Sequence, residues 1–589
     1  MPADALPAAD VVIIGFGWSG ALIAEALSAA GLGVVVLERG PYRDTASDFP
    51  PGFAPDELRY AVRHDLVVPT AQNTITFRNR VGQTALPVRQ WGSFLPASGA
   101  GGGGVHWNGQ TWRFRPSDFV LRSHLANAHG HDVIPSDATI QDWGVSYAEL
   151  EPFYDRFEYL AGISGRAGNL RGHRQEGGNP FEGPRQRDYP TPPMRMTLAP
   201  TRFAEAARAL GYHPFPQPSA NLSEPYTNSL GVVIGPCSYC GFCERFGCGN
   251  YSKASPQTVL MPALRRRPNV ALRTGAEVLE IARTPDGRHA RGVRYVDADG
   301  IERYQRAELV ILAAYTFENV RLLLLSGIGQ PYDPRDGSGV VGRNYAYQTT
   351  ASVQLFFDET RFNPFIGAGA LGMVVDDLNA EGRDHARLGF IGGAHLAAMQ
   401  SGGRPIQSRP TRPGTPRWGG AWKHAVARDY LRNVRLGASG SSLSHRGAWL
   451  DLDPTYQDRH GRRLLRMTFD FHANDLRMIQ HATDRLAEIG RAMGPAEMVV
   501  NQRHGPYSVV PYQSTHNVGG AVMGPDPTTS VVNPWLQSWD VANLFVVGAS
   551  SFPQNPSYNP TGTVAALALH AANAILTRYL PAPGPLVPR

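Results

Sequence analysis

Residues 10–38 constrain this chain more than any other stretch. Val11 to Ile14 is a continuous apolar run, as expected of a parallel strand buried on both faces. It leads into Gly15-Phe16-Gly17-Trp18-Ser19-Gly20, a helix-forming segment from Ser19 to Ala30, and a second apolar run from Val34 to Leu37. In such a unit Gly15 permits the tight turn, Gly17 lets the backbone approach a pyrophosphate, and Gly20 lets the helix pack closely on the strand. The helix N-terminus offers unpaired N–H groups to phosphates. Glu38, ending the second strand, can accept hydrogen bonds from a ribose. A glycine turn without a ligand is the plain alternative. The motif alone does not separate FAD from NAD, but its position at the very start of a 589-residue chain favours FAD.

The remaining elements spread the same domain along the chain. A second glycine cluster, Gly101 to Gly104, runs into Val105-His106-Trp107-Asn108-Gly109. Glycines in series let a backbone lie flat against a large ligand, and the aromatic and polar residues that follow argue against a loose surface loop. Residues 146–160 and Glu318 to Ser326 read as helices, 270–312 as alternating strands, Leu544 to Val547 as a strand and Thr563 to Tyr579 as a long helix. The fold class is α/β: a discontinuous Rossmann-like FAD-binding domain over 1–125, 225–345 and 525–589. An antiparallel-sheet substrate domain of α+β character is inserted at 126–224 and 346–524.

All four cysteines fall in one segment, at 236–250: Cys237, Cys240, Cys243 and Cys248, spaced C-x2-C-x2-C-x4-C. Cysteines two residues apart rarely meet disulfide geometry, and structural zinc usually separates its ligand pairs by a longer loop. The compact run suits an iron–sulfur cluster best, with zinc, disulfides and free thiols as alternatives. Beside a flavin, a cluster turns a two-electron oxidation into single-electron transfers to an outside acceptor.

Charge excludes other classes. Of 56 basic residues only Lys253 and Lys423 are lysines, and the arginines are scattered, without the basic stripe of a nucleic-acid binder. Arg265 to Arg267 is the densest run and reads as a solvated helix end. No apolar stretch reaches the ~20 residues of a spanning helix. Arg39 is the first basic residue, so the apolar N-terminus does not read as an export signal. Export would then depend on a partner.

Chemistry gathers near the C-terminus: Ser514-Thr515-His516-Asn517-Val518-Gly519-Gly520, then Asn543 to Ser550 with Gly548 and Ala549, then Asn559-Pro560-Thr561-Gly562-Thr563. This order resembles the signature of glucose–methanol–choline (GMC) flavin oxidoreductases, from the first glycines to the last helix. The resemblance implies that His516 and Asn559 face the flavin edge. There a neutral imidazole takes the hydroxyl proton of an alcohol as its carbinol hydrogen leaves as hydride to flavin N5. Gly103, Gly104, Asn108, Val278, Gly548, Ala549 and Thr561 join Gly15, Gly17, Gly20 and Glu38 as cofactor contacts. His106 is implied either as a covalent anchor of the flavin, as in pyranose oxidases, or as a polar contact.

Val81 to Ala85, Gly103 to Gly109, the Cys237–Cys248 run with Asn250 to Pro256, and Leu536 to Asp540 are similar to the large subunits of bacterial gluconate 2-dehydrogenases. Relatives act on 2-ketogluconate, sorbitol and fructose. That resemblance implies a [3Fe–4S] cluster rather than [4Fe–4S], a small subunit carrying the export signal, and a multi-haem cytochrome c subunit feeding ubiquinone. It also implies a location on the periplasmic face of the inner membrane. A sugar-acid carboxylate calls for a cation near His516, for which Arg503, His504 and the arginines of 402–417 are candidates. An oxygen-using sugar oxidase and a non-catalytic electron-transfer subunit are the alternatives.

Overall fold

A computed structural model describes residues 5–50, 58, 63–380, 384–404, 406–502, 505–511 and 513–587. Arg503 and His504 lie outside the described residues.

Strand β1 (Ala5–Ile14) runs into helix α1 (Trp18–Ala29) and then strand β2 (Val34–Glu38). The two strands pair in parallel, Val11 opposite Val34 through Ile14 opposite Leu37. Both apolar runs are buried, as strands covered on both faces must be. Segments from far along the chain complete the sheet. Val270–Thr274 pairs with β2, and Glu302–Leu312 pairs with β1, both in parallel. Leu544–Val546 adds a further parallel strand beyond Glu302–Leu312. Glu277–Arg283 and Ala290–Val296 extend the sheet as an antiparallel meander. Its strands therefore come from 5–38, 270–312 and 544–546.

The C-terminal helix Thr561–Ala574 is buried on nearly every side, packing on α1 and on Tyr147–Ala161. Its Ala-rich sequence allows that close approach. The last turn widens into a single π turn, Ile575–Tyr579, where a regular helix was expected to continue.

A second sheet has the strand order Glu497–Asn501, Thr349–Phe356, Asn433–Gly440, Ala394–Met399, Gly372–Val375, Phe215–Pro216. All of its pairings are antiparallel. Helix Ala473–Ala492 lays Met478, Ile479, Ala482, Leu486 and Ile489 over it. That spacing is the apolar stripe of an amphipathic helix.

A helix, Gly419–Asp429, precedes strand Asn433–Gly440. One expectation changes. Arg265 and Arg266 are exposed, but Arg267 is not simply solvated: its guanidinium pairs with Glu25 of α1 at 2.9 Å.

The strand–turn–helix unit depends on two contacts that only glycine allows. A Cβ at Gly15, where φ is +97°, would lie 2.6 Å from the Ala313 carbonyl oxygen. One at Gly20 would lie 2.1 Å from the Gly15 carbonyl oxygen. Gly20→Ala must push the helix off the strand. It is expected to cost about 1–3 kcal/mol, read as a lower midpoint in urea unfolding; an unchanged midpoint contradicts this packing.

Candidate active site

The first turn opens onto a long cleft with an empty volume of about 1840 Å³, counting its mouth. Its wall includes Gly15, Gly17, Glu38, Gly103, Gly104, Val278, Gly548, Ala549 and Thr561 from the expected cofactor residues. A Cβ at Gly17 would meet nothing within 4 Å, so the backbone at the start of α1 is bare toward the cleft. Trp18 lines the same wall, and its indole Nε1 is buried without a partner. An open helix N-terminus and a glycine wall fit a dinucleotide lying along the cleft.

Glu38 has a different first role from the one expected. Its Oε2 accepts from Phe16 N at 3.0 Å and its Oε1 from Gly40 N at 2.8 Å. Burial raises its carboxyl above the usual range, and those two backbone donors oppose the rise. Glu38 thus pins the turn and offers a ribose only its remaining lone pairs. Beyond it Arg39 pairs with Glu318 at 3.2 Å, two wall residues that sequence reasoning missed.

Gly20, His106 and Asn108 are absent from the wall. Gly20 works behind it, as packing. The Asn108 side-chain oxygen accepts from Gln110 N at 3.1 Å and caps its own turn. His106 ends a single helical turn, Gly103–His106. Its imidazole is buried with Nε2 unpartnered, and burial together with the charges of Lys253 and Arg245 lowers it to about 4. The structure thus sets His106 in the layer behind the cleft, on the side of the cysteine segment, and puts Trp107 on the wall in its place.

The wall includes Thr515 and Pro560, while their chain neighbours His516 and Asn559 lie beside it and do not line it themselves. Here the two expected catalytic groups meet: Asn559 Nδ2 lies 3.1 Å from His516 Nε2. On its other side His516 Nδ1 is hydrogen-bonded to Gln348 Oε1. The Gln348 amide is held the right way round because its Nε2 donates to the Ser557 carbonyl at 3.0 Å. Its oxygen must therefore accept from Nδ1–H, which leaves the lone pair on Nε2. Burial lowers His516 to about 4, so the ring is neutral at working pH. Gln348 was missed from sequence; it sits just ahead of a strand of the second sheet and carries no motif.

The supporting shell was also missed. His395 packs parallel to Tyr558, and its ring is near enough to His516 to be perturbed by it. Asp376 accepts from Tyr558 Oη at 2.8 Å, Asn379 Nδ2 at 2.8 Å and Asn179 Nδ2 at 2.9 Å, fixing the loop that ends in Asn559. Two of the arginines proposed for a carboxylate are committed elsewhere. Arg404 donates to the Gly241 carbonyl, and Arg412 pairs with Asp358 and Asp429.

The cysteine segment lies against the far side of the Gly103–Trp107 turn. Arg245 N donates to the His106 carbonyl at 2.8 Å, and Trp107 Nε1 donates to the Ala254 carbonyl at 2.8 Å. All four cysteines are free thiols, and burial, with the neighbouring cysteines adding to it, pushes the Cys237 and Cys243 thiols up. Among the described residues no group of His, Cys, Asp and Glu is gathered as a single-ion site. Each of three sulfurs has a polar neighbour: Tyr239 N at 3.4 Å from Cys237, Asn221 Nδ2 at 3.6 Å from Cys243, and Ser252 Oγ at 3.4 Å from Cys248. An N–H or O–H group near each of these sulfurs is compatible with a thiol or a thiolate.

Residues 227–350 and 450–568 match the two GMC oxidoreductase family models. The gluconate 2-dehydrogenase flavoprotein of Pantoea cypripedii is 48% identical over 99% of this chain and 96% of its own. The chain belongs to the GMC oxidoreductase family. Two further relatives are 27% identical: the fructose dehydrogenase large subunit of Gluconobacter japonicus, over 96% of this chain and 98% of its own, and the 2-methyl-1,2-propanediol dehydrogenase of Mycolicibacterium austroafricanum, over 97% and 95%. As a GMC flavoprotein the chain carries FAD, for which the cleft from Gly17 to Thr561 fits. It is an FAD-dependent dehydrogenase acting on a CH–OH donor.

Two outcomes follow from the His516 geometry. Because the group titrates at about 4, its base form is lost only as pH falls through that value. The acid limb of kcat/KM should therefore lie near pH 4; a limb near that of free imidazole, ~6.5, contradicts this. Gln348→Leu frees the ring to present Nε2–H and should lower kcat on the order of 100-fold. Gln348→Glu, which keeps an acceptor, should recover much of that loss.

Proposed function

We propose that this chain is the FAD-bearing subunit of a membrane-associated dehydrogenase that oxidises the C2 hydroxyl of D-gluconate to 2-dehydro-D-gluconate. The observation that carries the reading is the His516–Asn559 pair, 3.1 Å apart beside the cleft that Thr515 and Pro560 line, in a chain 48% identical to a gluconate 2-dehydrogenase flavoprotein.

FAD bound in the cleft supplies the acceptor for the hydride leaving the carbinol carbon. The chain's own residues do the rest. Asn559 donates to the substrate hydroxyl oxygen and places it between its own amide and the imidazole. His516 takes the hydroxyl proton at Nε2. Gln348 accepts from Nδ1–H, which keeps the proton off Nε2 beforehand and stabilises the imidazolium as it forms. A ring at about 4 holds that proton weakly and passes it readily to water.

Cys237, Cys240, Cys243 and Cys248 would hold an iron–sulfur cluster, [3Fe–4S] in preference to [4Fe–4S]. Held there, such a cluster would supply one-electron transfer toward a multi-haem cytochrome c subunit and ubiquinone. The thiols are free, close enough to sense one another, and separated from the cleft only by the Gly103–Trp107 turn. A small subunit with the export signal would place the assembly on the periplasmic face of the inner membrane.

The test is turnover with an artificial electron acceptor on D-gluconate, 2-ketogluconate, sorbitol, fructose and glucose. Gluconate should give the highest kcat/KM. A neutral sugar or polyol preferred over both sugar acids overturns the substrate reading. Peroxide formed as fast as dye is reduced overturns the dehydrogenase reading in favour of an oxidase.

A further inference from the structure

Lys253 is one of only two lysines in the chain, and it is wholly buried. Its Nζ donates to three backbone carbonyls: Trp107 at 2.8 Å, Cys243 at 2.6 Å and Phe246 at 2.8 Å. Three acceptors require three N–H bonds, which only the ammonium form has. A buried ammonium costs several kcal/mol unless an opposite charge offsets it. Among the described residues no carboxylate makes an ion pair with Lys253. Two of its three acceptors, the Cys243 and Phe246 carbonyls, belong to the cysteine loop, so the cation is fixed at that loop. Four neutral thiols would leave this cation uncompensated; metal-bound thiolates would not.

Its position is as informative as its charge. Trp107 lines the FAD cleft, while Cys243 and Phe246 belong to the cysteine segment. One side chain therefore ties the wall of the cleft to the loop behind it. The neighbouring Ala254 carbonyl accepts from the Trp107 indole and makes a second tie in the same place.

We propose that Lys253 is the internal counter-ion of the iron–sulfur cluster and the residue that makes it an easier one-electron acceptor. The proposal rests on the cluster reading given above. A fixed positive charge in a low-dielectric interior stabilises each electron added nearby and so raises the reduction potential. Each CH–OH oxidised to C=O releases two electrons and two protons. The electrons leave singly by way of the cluster to an outside one-electron acceptor. The protons go to solvent, the hydroxyl proton through His516. Lys253 touches no reacting atom; it is a positioning residue acting through charge.

The experiment uses the full chain with its partner subunits, as wild type, Lys253→Arg, Lys253→Gln and Lys253→Met. The readouts are iron content, the electron paramagnetic resonance signal of the cluster, and its midpoint potential by redox titration. Gln keeps N–H donors and Met keeps bulk, so the test survives if one of these neutral variants does not fold. The neutral variants should lower the potential enough to weaken electron uptake at least about tenfold, which for one electron is about 59 mV. Arg should stay near wild type. Iron lost from Gln and Met but kept in Arg supports the same role. Neutral variants with the wild-type potential overturn it, as does an Arg variant that behaves like Gln. Wild-type protein without iron overturns the cluster reading first, so the two failures are told apart.

Discussion

The centre of this molecule depends on a backbone-on-backbone contact. The second glycine run is pressed against the first: a Cβ at Gly102 would lie 2.9 Å from Gly17 Cα. Two residues on, a Cβ at Gly104 would lie 2.6 Å from Pro256 Cδ and 2.7 Å from Trp18 Nε1. No side chain fits between these segments. The turn can therefore serve as a thin partition, with the flavin cleft on one face and the cysteine segment on the other. Strands drawn from opposite ends of the chain hold that partition in place, because the sheet carrying β1 also takes in Leu544–Val546. The cofactor wall and the catalytic loop are thereby parts of one rigid layer.

The proton chemistry sits where the two sheets meet. In sequence His516 and Asn559 lie on either side of strand Leu544–Val546, and Asn559 leads into the final helix of the first layer, while Gln348 lies just ahead of a strand of the second and His395 within another. The base is thus assembled from both layers. Burial keeps its ring neutral, and one amide fixes which nitrogen is free.

What the sequence made legible was local chemistry. The β1–α1–β2 unit was readable because its glycines and apolar runs are contiguous, and its bounds moved by only a few residues, mainly at the start of β1. His516, Asn559 and the clustered cysteines were readable because each lies within a short motif. Gln348, Asp376 and Lys253 were not, since their roles come from pairings between distant segments and no spacing announces them. His106 lies beside Trp107 in a glycine-rich motif; Trp107, just past the helical turn Gly103–His106, lines the cleft, while the His106 imidazole is buried. Glu38 lines the cleft, but its carboxylate is already engaged by Phe16 and Gly40.

The central claim is that His516 Nε2 removes the proton of a sugar-acid hydroxyl beside the cleft. It is tested most directly by mixing FAD-loaded protein with D-gluconate in the absence of oxygen and following the loss of the flavin's visible absorbance. The account predicts that His516→Ala retains FAD but bleaches more slowly by roughly 10²–10⁴-fold. Bleaching at the wild-type rate in that variant would contradict it.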